Sequence, residues 1–159
     1  MSDIELRFSI DNLLARYAHA IDDDRLEEWP GFFVEQGIYR IVTAENLERG
    51  LPLPIMLAES RAMLRDRVNS LRRANIYEAQ RYRHSLSATI VDRIDSVSVR
   101  ATSNFIVVRI MRTGESSLFA SGKYLDRILL KGDAGQPQFE ERVVVLDSRA
   151  VDTLLAIPI

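Results

Sequence analysis

In the first part of the chain the apolar residues recur at helical spacing. Ile10, Leu13, Leu14, Tyr17, Ala18 and Ile21 form one stripe, which a helix must lay against a core. Its start is marked by Ser2 with Glu5 three residues later, a pairing in which each side chain satisfies a free backbone N–H of the first turn. Asp22-Asp23-Asp24 closes the helix, because short carboxylates compete for backbone N–H groups. Leu26, Trp29, Phe32 and Phe33 predict a second, short helix broken near Pro30. Ile38 to Val42 reads as a short strand, and the polar run to Gly50 as a loop. Pro52 and Pro54 mark the start of the next element. From Ile55 to Leu71, the sites Leu57, Leu64, Val68 and Leu71 predict a third helix with Arg61, Arg65, Asp66 and Arg72 on its outer side.

The period then changes. From Tyr82 onward β-branched and aromatic residues dominate, and turn signals are spaced for long antiparallel strands at about 80–93, 97–111, 116–130 and 138–147. Arg112 to Glu115 is a hairpin turn, and Lys131 to Pro137 a longer connection. In the second of these strands Val97, Val99, Ala101 and Phe105 share one face, whereas Ile106, Val108 and Ile110 put apolar groups on the other. Such a strand is bulged, strongly bent or covered on both faces, and it leaves a second surface for something else to cover. About three helices followed by a bent, mainly antiparallel meander make an α+β architecture, with the helices in the concave side of the sheet. The 159 residues are read as a single domain, 1–159, with no repeat or linker.

Between the two halves lies a segment, Ser70 to Ala88, that holds Arg72, Arg73, Arg81 and Arg83, interleaved with Tyr77 and Tyr82, and His84 leading into the first long strand. Charge is unevenly placed around it. Residues 1–48 hold eleven Asp/Glu against four Lys/Arg, and residues 58–84 seven Arg against three Asp/Glu, a separation suited to a protein partner of mixed charge. The arginines have two readings: bidentate bridges to a partner's carboxylates, or a solvated face paired internally with Asp22, Asp23, Asp24 or Glu78. A nucleic-acid surface is set aside, since net charge is −2 and no nucleic-acid module is recognisable. A composition of 47% hydrophobic and 28% charged residues belongs to a folded protein, not a disordered one. No apolar run approaches bilayer length and the first residues lack the features of a signal peptide, so the expected location is cytoplasmic, with no membrane partner. Cysteine is absent, which removes disulfides, thiolate zinc, iron–sulfur ligation and thiol nucleophiles together.

Particular residues carry a resemblance. Tyr17-Ala18-His19-Ala20-Ile21-Asp22, then Trp29, Phe32-Phe33 and Tyr39-Arg40, look like the opening of the cone-shaped fold shared by nuclear transport factor 2, ketosteroid isomerase and the polyketide cyclases. Met63-Leu64-Arg65-Asp66-Arg67-Val68, Leu71-Arg72, Ala74 to Glu78 and Arg81-Tyr82-Arg83-His84 resemble the small (β) subunit of Rieske-type aromatic-ring-hydroxylating oxygenases. Val108 to Glu115, Phe119 to Asp126, Leu146-Asp147-Ser148 and Thr153 to Ile159 are similar to the same family, with likeness to subunits paired with oxygenases for aromatic acids such as terephthalate or salicylate. One departure is Gln36-Gly37, where relatives tend to carry an acidic and a small residue, so no carboxylate role is carried over there.

The resemblance implies a non-catalytic subunit of the terminal oxygenase in a multicomponent system. The implied partner is an α subunit carrying a Rieske [2Fe–2S] cluster and a mononuclear non-haem Fe(II), and a reductase draws electrons from NAD(P)H. The implied assembly is α3β3, built on a β trimer. Arg72, Arg73, Tyr77, Arg81, Tyr82 and Arg83 are then candidates for the partner interface, and no cofactor or metal is expected in this chain. His19 and His84 with an Asp could compose a facial triad on paper, but nothing in their spacing supports one. A second reading is a stand-alone isomerase, dehydratase or cyclase, in which Tyr17, Asp22 and His84, with Tyr39 or Tyr82 as a further hydroxyl donor, line a pocket for proton transfer. Against it, Tyr17 lies in the apolar stripe, and an Asp at a helix end commonly caps or pairs with an arginine.

Overall fold

In a computed structural model, which describes residues 1–51, 53–73, 79–150, 155 and 157–159, the capping box at Ser2 forms as its spacing requires. The Ser2 N–H donates to Glu5 Oε2 at 2.7 Å, and the Glu5 N–H to Ser2 Oγ at 3.3 Å. This opens helix α1 (Asp3–Asp22), whose predicted stripe is buried together with Leu6 and Ala20. Leu26–Phe32 is a 3-10 helix rather than an α-helix, and it holds Pro30 within it. So short and tight a segment tolerates a residue without an N–H. Phe33, also expected in that helix, instead starts strand β1 (Phe33–Thr43), which is twice the predicted length.

Two further expectations give way to pairing that sequence period does not reveal. The polar run after β1 contains helix α2 (Ala44–Glu48), capped by Thr43, whose Oγ1 accepts from the Asn46 N–H at 3.1 Å. The third helix, α3, spans Arg61–Arg73 and not Ile55 onward. Met56–Ala58 is strand β2, antiparallel to β1, which leaves Leu57 exposed. Ser60 Oγ accepts from the Met63 N–H at 3.2 Å and so marks the true start of α3. Leu64, Val68 and Leu71 face the core as predicted. Arg61 does not lie on the outer side: its side chain is only 13% exposed.

The long strands are β3 (Gln80–Arg93), β4 (Ser98–Met111), β5 (Ser116–Leu129) and β6 (Gln138–Leu146). They form one six-stranded sheet in the order β2-β1-β6-β5-β4-β3, antiparallel except where β1 meets β6. Register shifts fall between Ser87 and Ile90 in β3 and between Val107 and Val108 in β4. Of the three readings open for β4, bulged, bent or covered on both faces, the register shifts select the bulge, and such bulges curve the sheet around the helices. At the first, Ala88 adopts φ 51°, the left-handed conformation of a bulge residue. The main core lies in the concavity, between α1, α3, the 3-10 helix and the inner sheet face. A small second cluster, Val42, Val143 and Val145, sits on the opposite face beside α2. No helix among the described residues is long and apolar enough to cross a membrane.

Candidate functional site

The concavity, where a cone of this kind could hold a small molecule, is filled by a charged pair. Asp126 on β5 and Arg142 on β6 are register partners, and Arg142 donates from Nε at 2.8 Å and from Nη2 at 2.7 Å to the two carboxylate oxygens. Both side chains are fully buried. The guanidinium also lies over the rings of Tyr124, Phe139 and Tyr17, at 4.0, 4.1 and 4.2 Å from their centroids, which supplies cation–π attraction on top of the bidentate bridge. Burial alone would loosen its proton, but Asp126, aided by the Tyr17 and Tyr124 hydroxyls, outweighs that and holds the group above its ordinary arginine value. Sequence reasoning missed this pair. Its signal was present, since Asp126 occupies an inward position between Tyr124 and Ile128 in an alternating strand.

Tyr17 and Tyr39 are likewise spent on architecture. The Tyr17 hydroxyl accepts from Trp29 Nε1 at 3.0 Å and donates to the Ile159 carbonyl at 3.1 Å. The Tyr39 hydroxyl donates to the same oxygen at 3.0 Å and accepts from the Ile159 N–H at 3.1 Å. Burial raises both phenols, Tyr39 the further. Edge-to-face contacts of Tyr17 with Phe32 and Phe139, and of Trp29 with Tyr39, complete an aromatic layer.

Asp22 and His84, distant in sequence, do meet. Asp22 Oδ1 is 2.6 Å from His84 Nδ1, and Oδ2 accepts the His84 backbone N–H at 2.9 Å. The carboxylate therefore satisfies an outward amide of the sheet's edge strand β3 and fixes the ring at once. The His84 side chain is fully buried, with Nε2 unpartnered among the described residues. A cleft of about 730 Å³ opens beside Asp22, between Arg72, Arg81, Tyr82 and Arg83. Of the proton-transfer set, then, Asp22 and His84 are together, while the Tyr17 hydroxyl is bonded to Trp29 and Ile159. His19 is exposed on α1. Among the described residues no three of His, Cys, Asp and Glu converge as a metal would need.

The arginines divide. Arg72 bridges Asp24 at 2.9 Å and Glu27 at 2.7 Å, which ties α3 to the turn after α1 and draws the Glu27 carboxyl below its usual range. Tyr82 is buried, its ring stacked on Phe119. Arg73, Arg81 and Arg83 are exposed and make no ion pair among the described residues. Tyr77 lies outside the described residues. Arg61, expected on a solvated face, reaches the Phe33 carbonyl through Nε at 2.9 Å and Asp133 through Nη2 at 2.8 Å, and so staples α3 to β1 and to the β5–β6 connection.

Comparison with known proteins places these features. The family described as "Ring hydroxylating beta subunit" matches residues 16–153. The chain is 43% identical over 145 residues to subunit beta 1 of the terminal oxygenase component of terephthalate 1,2-dioxygenase from Comamonas sp., a match covering 91% of this chain and 93% of that one. It is 40% identical over 157 residues to the anthranilate 1,2-dioxygenase small subunit of Burkholderia cepacia, covering 99% of this chain and 96% of the relative. A crystal structure from Novosphingobium aromaticivorans, assigned to the β subunit of an aromatic-ring-hydroxylating dioxygenase, superposes with a TM-score of 0.86 at 35% identity over 95% of each chain.

Proposed function

Since this chain belongs to the ring-hydroxylating β-subunit family, and is thus the small subunit of an aromatic-ring-hydroxylating dioxygenase, we propose that it is the non-catalytic platform of the terminal oxygenase, on which an iron-bearing α subunit is assembled. The observation that carries this is the filled concavity. Arg142 and Asp126, packed among Tyr17, Tyr124 and Phe139, fill the interior of the cone, and Tyr17, its hydroxyl held by Trp29 and Ile159, does not line the cleft beside Asp22. Asp22 has both oxygens bonded to His84, so its geometry is that of a structural clamp.

The chemistry then belongs to the complex. A chain without cysteine lacks the thiolates a Rieske cluster requires, so that cluster and the mononuclear iron are assigned to α, with NAD(P)H oxidised by a reductase. The substrate is an aromatic carboxylate, the compound class for which the terephthalate and anthranilate relatives are named. The proposed assembly is a cytoplasmic α3β3 complex formed by one domain, 1–159, from each β chain. Arg73, Arg81 and Arg83 are left exposed to bridge partner carboxylates, whereas Arg72 is used internally.

The test is co-expression of the tagged chain with its genomic neighbours, followed by affinity capture, native mass and iron analysis. Equimolar recovery of an iron- and sulfide-containing partner supports the proposal. Recovery of this chain alone from those neighbours overturns it.

A further inference from the structure

Ile157, Pro158 and Ile159 are buried, and both isoleucines belong to the main core. They lie in no strand, and among the described residues no backbone–backbone hydrogen bond reaches them. Side chains from separate elements hold the segment instead. Tyr17 on α1 and Tyr39 on β1 both donate to the Ile159 carbonyl, at 3.1 and 3.0 Å, and the Tyr39 hydroxyl accepts the Ile159 N–H at 3.1 Å. Arg67 on α3 donates from Nη2 to the Leu155 carbonyl at 2.6 Å. A strand is secured by its neighbour's backbone, whereas here side chains read a main chain, as a receptor reads a peptide.

The receptor side is braced independently of the segment. The Tyr17 hydroxyl accepts from Trp29 Nε1, so its own proton is left to point at Ile159. The Tyr17 ring lies edge-on to Phe33 and Phe139, and the Tyr39 ring edge-on to Trp29 and Phe33. Tyr39 is matched to a residue's main chain in both directions, since one hydroxyl serves the N–H and the carbonyl of Ile159. The segment in turn has the character of a ligand. Pro158 lacks an N–H, fixes its own φ and confines Ile157 to extended backbone, so burial orders few free torsions and leaves one donor fewer to satisfy. Ile157 also lines the cleft beside Asp22, and the segment reaches the surface there.

We infer that the interior of the cone is a peptide-binding site whose occupant is this chain's own Ile157–Ile159, read at Ile159 by Tyr17 and Tyr39, with Arg67 holding the chain where it enters. The ligand class is a short apolar peptide with proline between two branched residues. The segment leaves and returns while the sheet stays folded, and its place is taken by the same sequence supplied as a separate molecule. The inference goes beyond the subunit reading and does not depend on it.

The experiment begins with hydrogen exchange on the full chain. Pro158 has no N–H, so the Ile159 amide reports on the segment's end alone. It should be protected, yet exchange roughly tenfold or more faster than the amides that pair β5 with β6. Exchange no faster than those amides overturns the inference, since the segment would then leave only when the whole chain unfolds. A variant lacking residues 157–159 is then melted with millimolar acetyl-Ile-Pro-Ile or acetyl-Gly-Pro-Gly. The variant should melt below the parent, and the first peptide should raise its melting temperature while the second does not. Tyr39→Phe in the same shortened chain should weaken binding of acetyl-Ile-Pro-Ile about tenfold by calorimetry. If the shortened chain does not fold by itself, recovery of the parent's far-UV circular dichroism on refolding with each peptide is read in its place, and acetyl-Ile-Pro-Ile alone should restore it. A shortened chain that melts with the parent, peptides that act alike or not at all, or a Tyr39→Phe chain that binds as tightly overturns the inference.

Discussion

Arg142 brings a charge into an interior that offers little solvation, and it is tolerated because Asp126 meets it in two places and three rings cover its faces. Removing one partner strands the other. Arg142→Met or Asp126→Leu alone should each lower stability by about 3–5 kcal/mol, while the double change recovers much of the loss, as urea denaturation of the three variants would show. Asp22 makes a milder case. Asp22→Ala frees the His84 amide and ring and should cost about 1–3 kcal/mol, with turnover per iron in the assembled oxygenase unchanged. A fall in turnover at constant iron content would instead give Asp22 and His84 a part in the chemistry. The buried phenols set the alkaline limit. The hydroxyls of Tyr39 and Tyr124 are raised well above the ordinary value by burial, so their contribution is intact below the unfolded-state value of about 10 and declines as pH rises beyond it. Tyrosine ionisation, followed by absorbance, should therefore coincide with unfolding.

At the scale of elements, a few local signals decide boundaries. Ser60 starts α3 and Thr43 starts α2, each through an oxygen that accepts a first-turn N–H. Ser60→Ala should cost about 1 kcal/mol in thermal or urea unfolding. Gly122 on β5 is held by contact: a Cβ there would run into the Val145 carbonyl oxygen of β6. Gly122→Ala should thus separate the two strands locally and lower the melting temperature more than Gly31→Ala, where a Cβ meets open space. The staple from Arg61 to Asp133 has a pH signature. Its hydrogen bond holds the Asp133 carboxyl below the usual range, so the contribution is present above about pH 4 and is lost as pH falls through the lowered value. Arg61→Met should flatten that acid limb in urea titrations.

For the whole molecule, the division of charge persists in the fold but is partly consumed within it. Arg72 neutralises Asp24 and Glu27, which leaves Arg73, Arg81 and Arg83 as the arginines of the Ser70–Ala88 segment that are exposed and without an ion pair among the described residues. Reversing those three to Glu should reduce recovery of assembled complex from co-expression without altering the melting temperature of the isolated chain, whereas Arg72→Glu should lower that temperature. The sequence by itself determined what depends on near neighbours: the capped first helix and its buried stripe, four long strands with their turns, a change of apolar face in β4 that a bulge, a bend or a cover on both faces would answer, and the family to which the chain belongs. Period and capping chemistry are local, and they survive in one dimension. Only the tertiary structure decided that Met56–Ala58 leaves the helix to pair with β1, that β1 lies parallel to β6, that Arg61 turns inward and that Asp126 finds Arg142. Those outcomes depend on partners distant along the chain. A charged residue within an alternating strand announces itself, but its counter-ion is chosen by register, and register is set by the packing of the sheet as a whole.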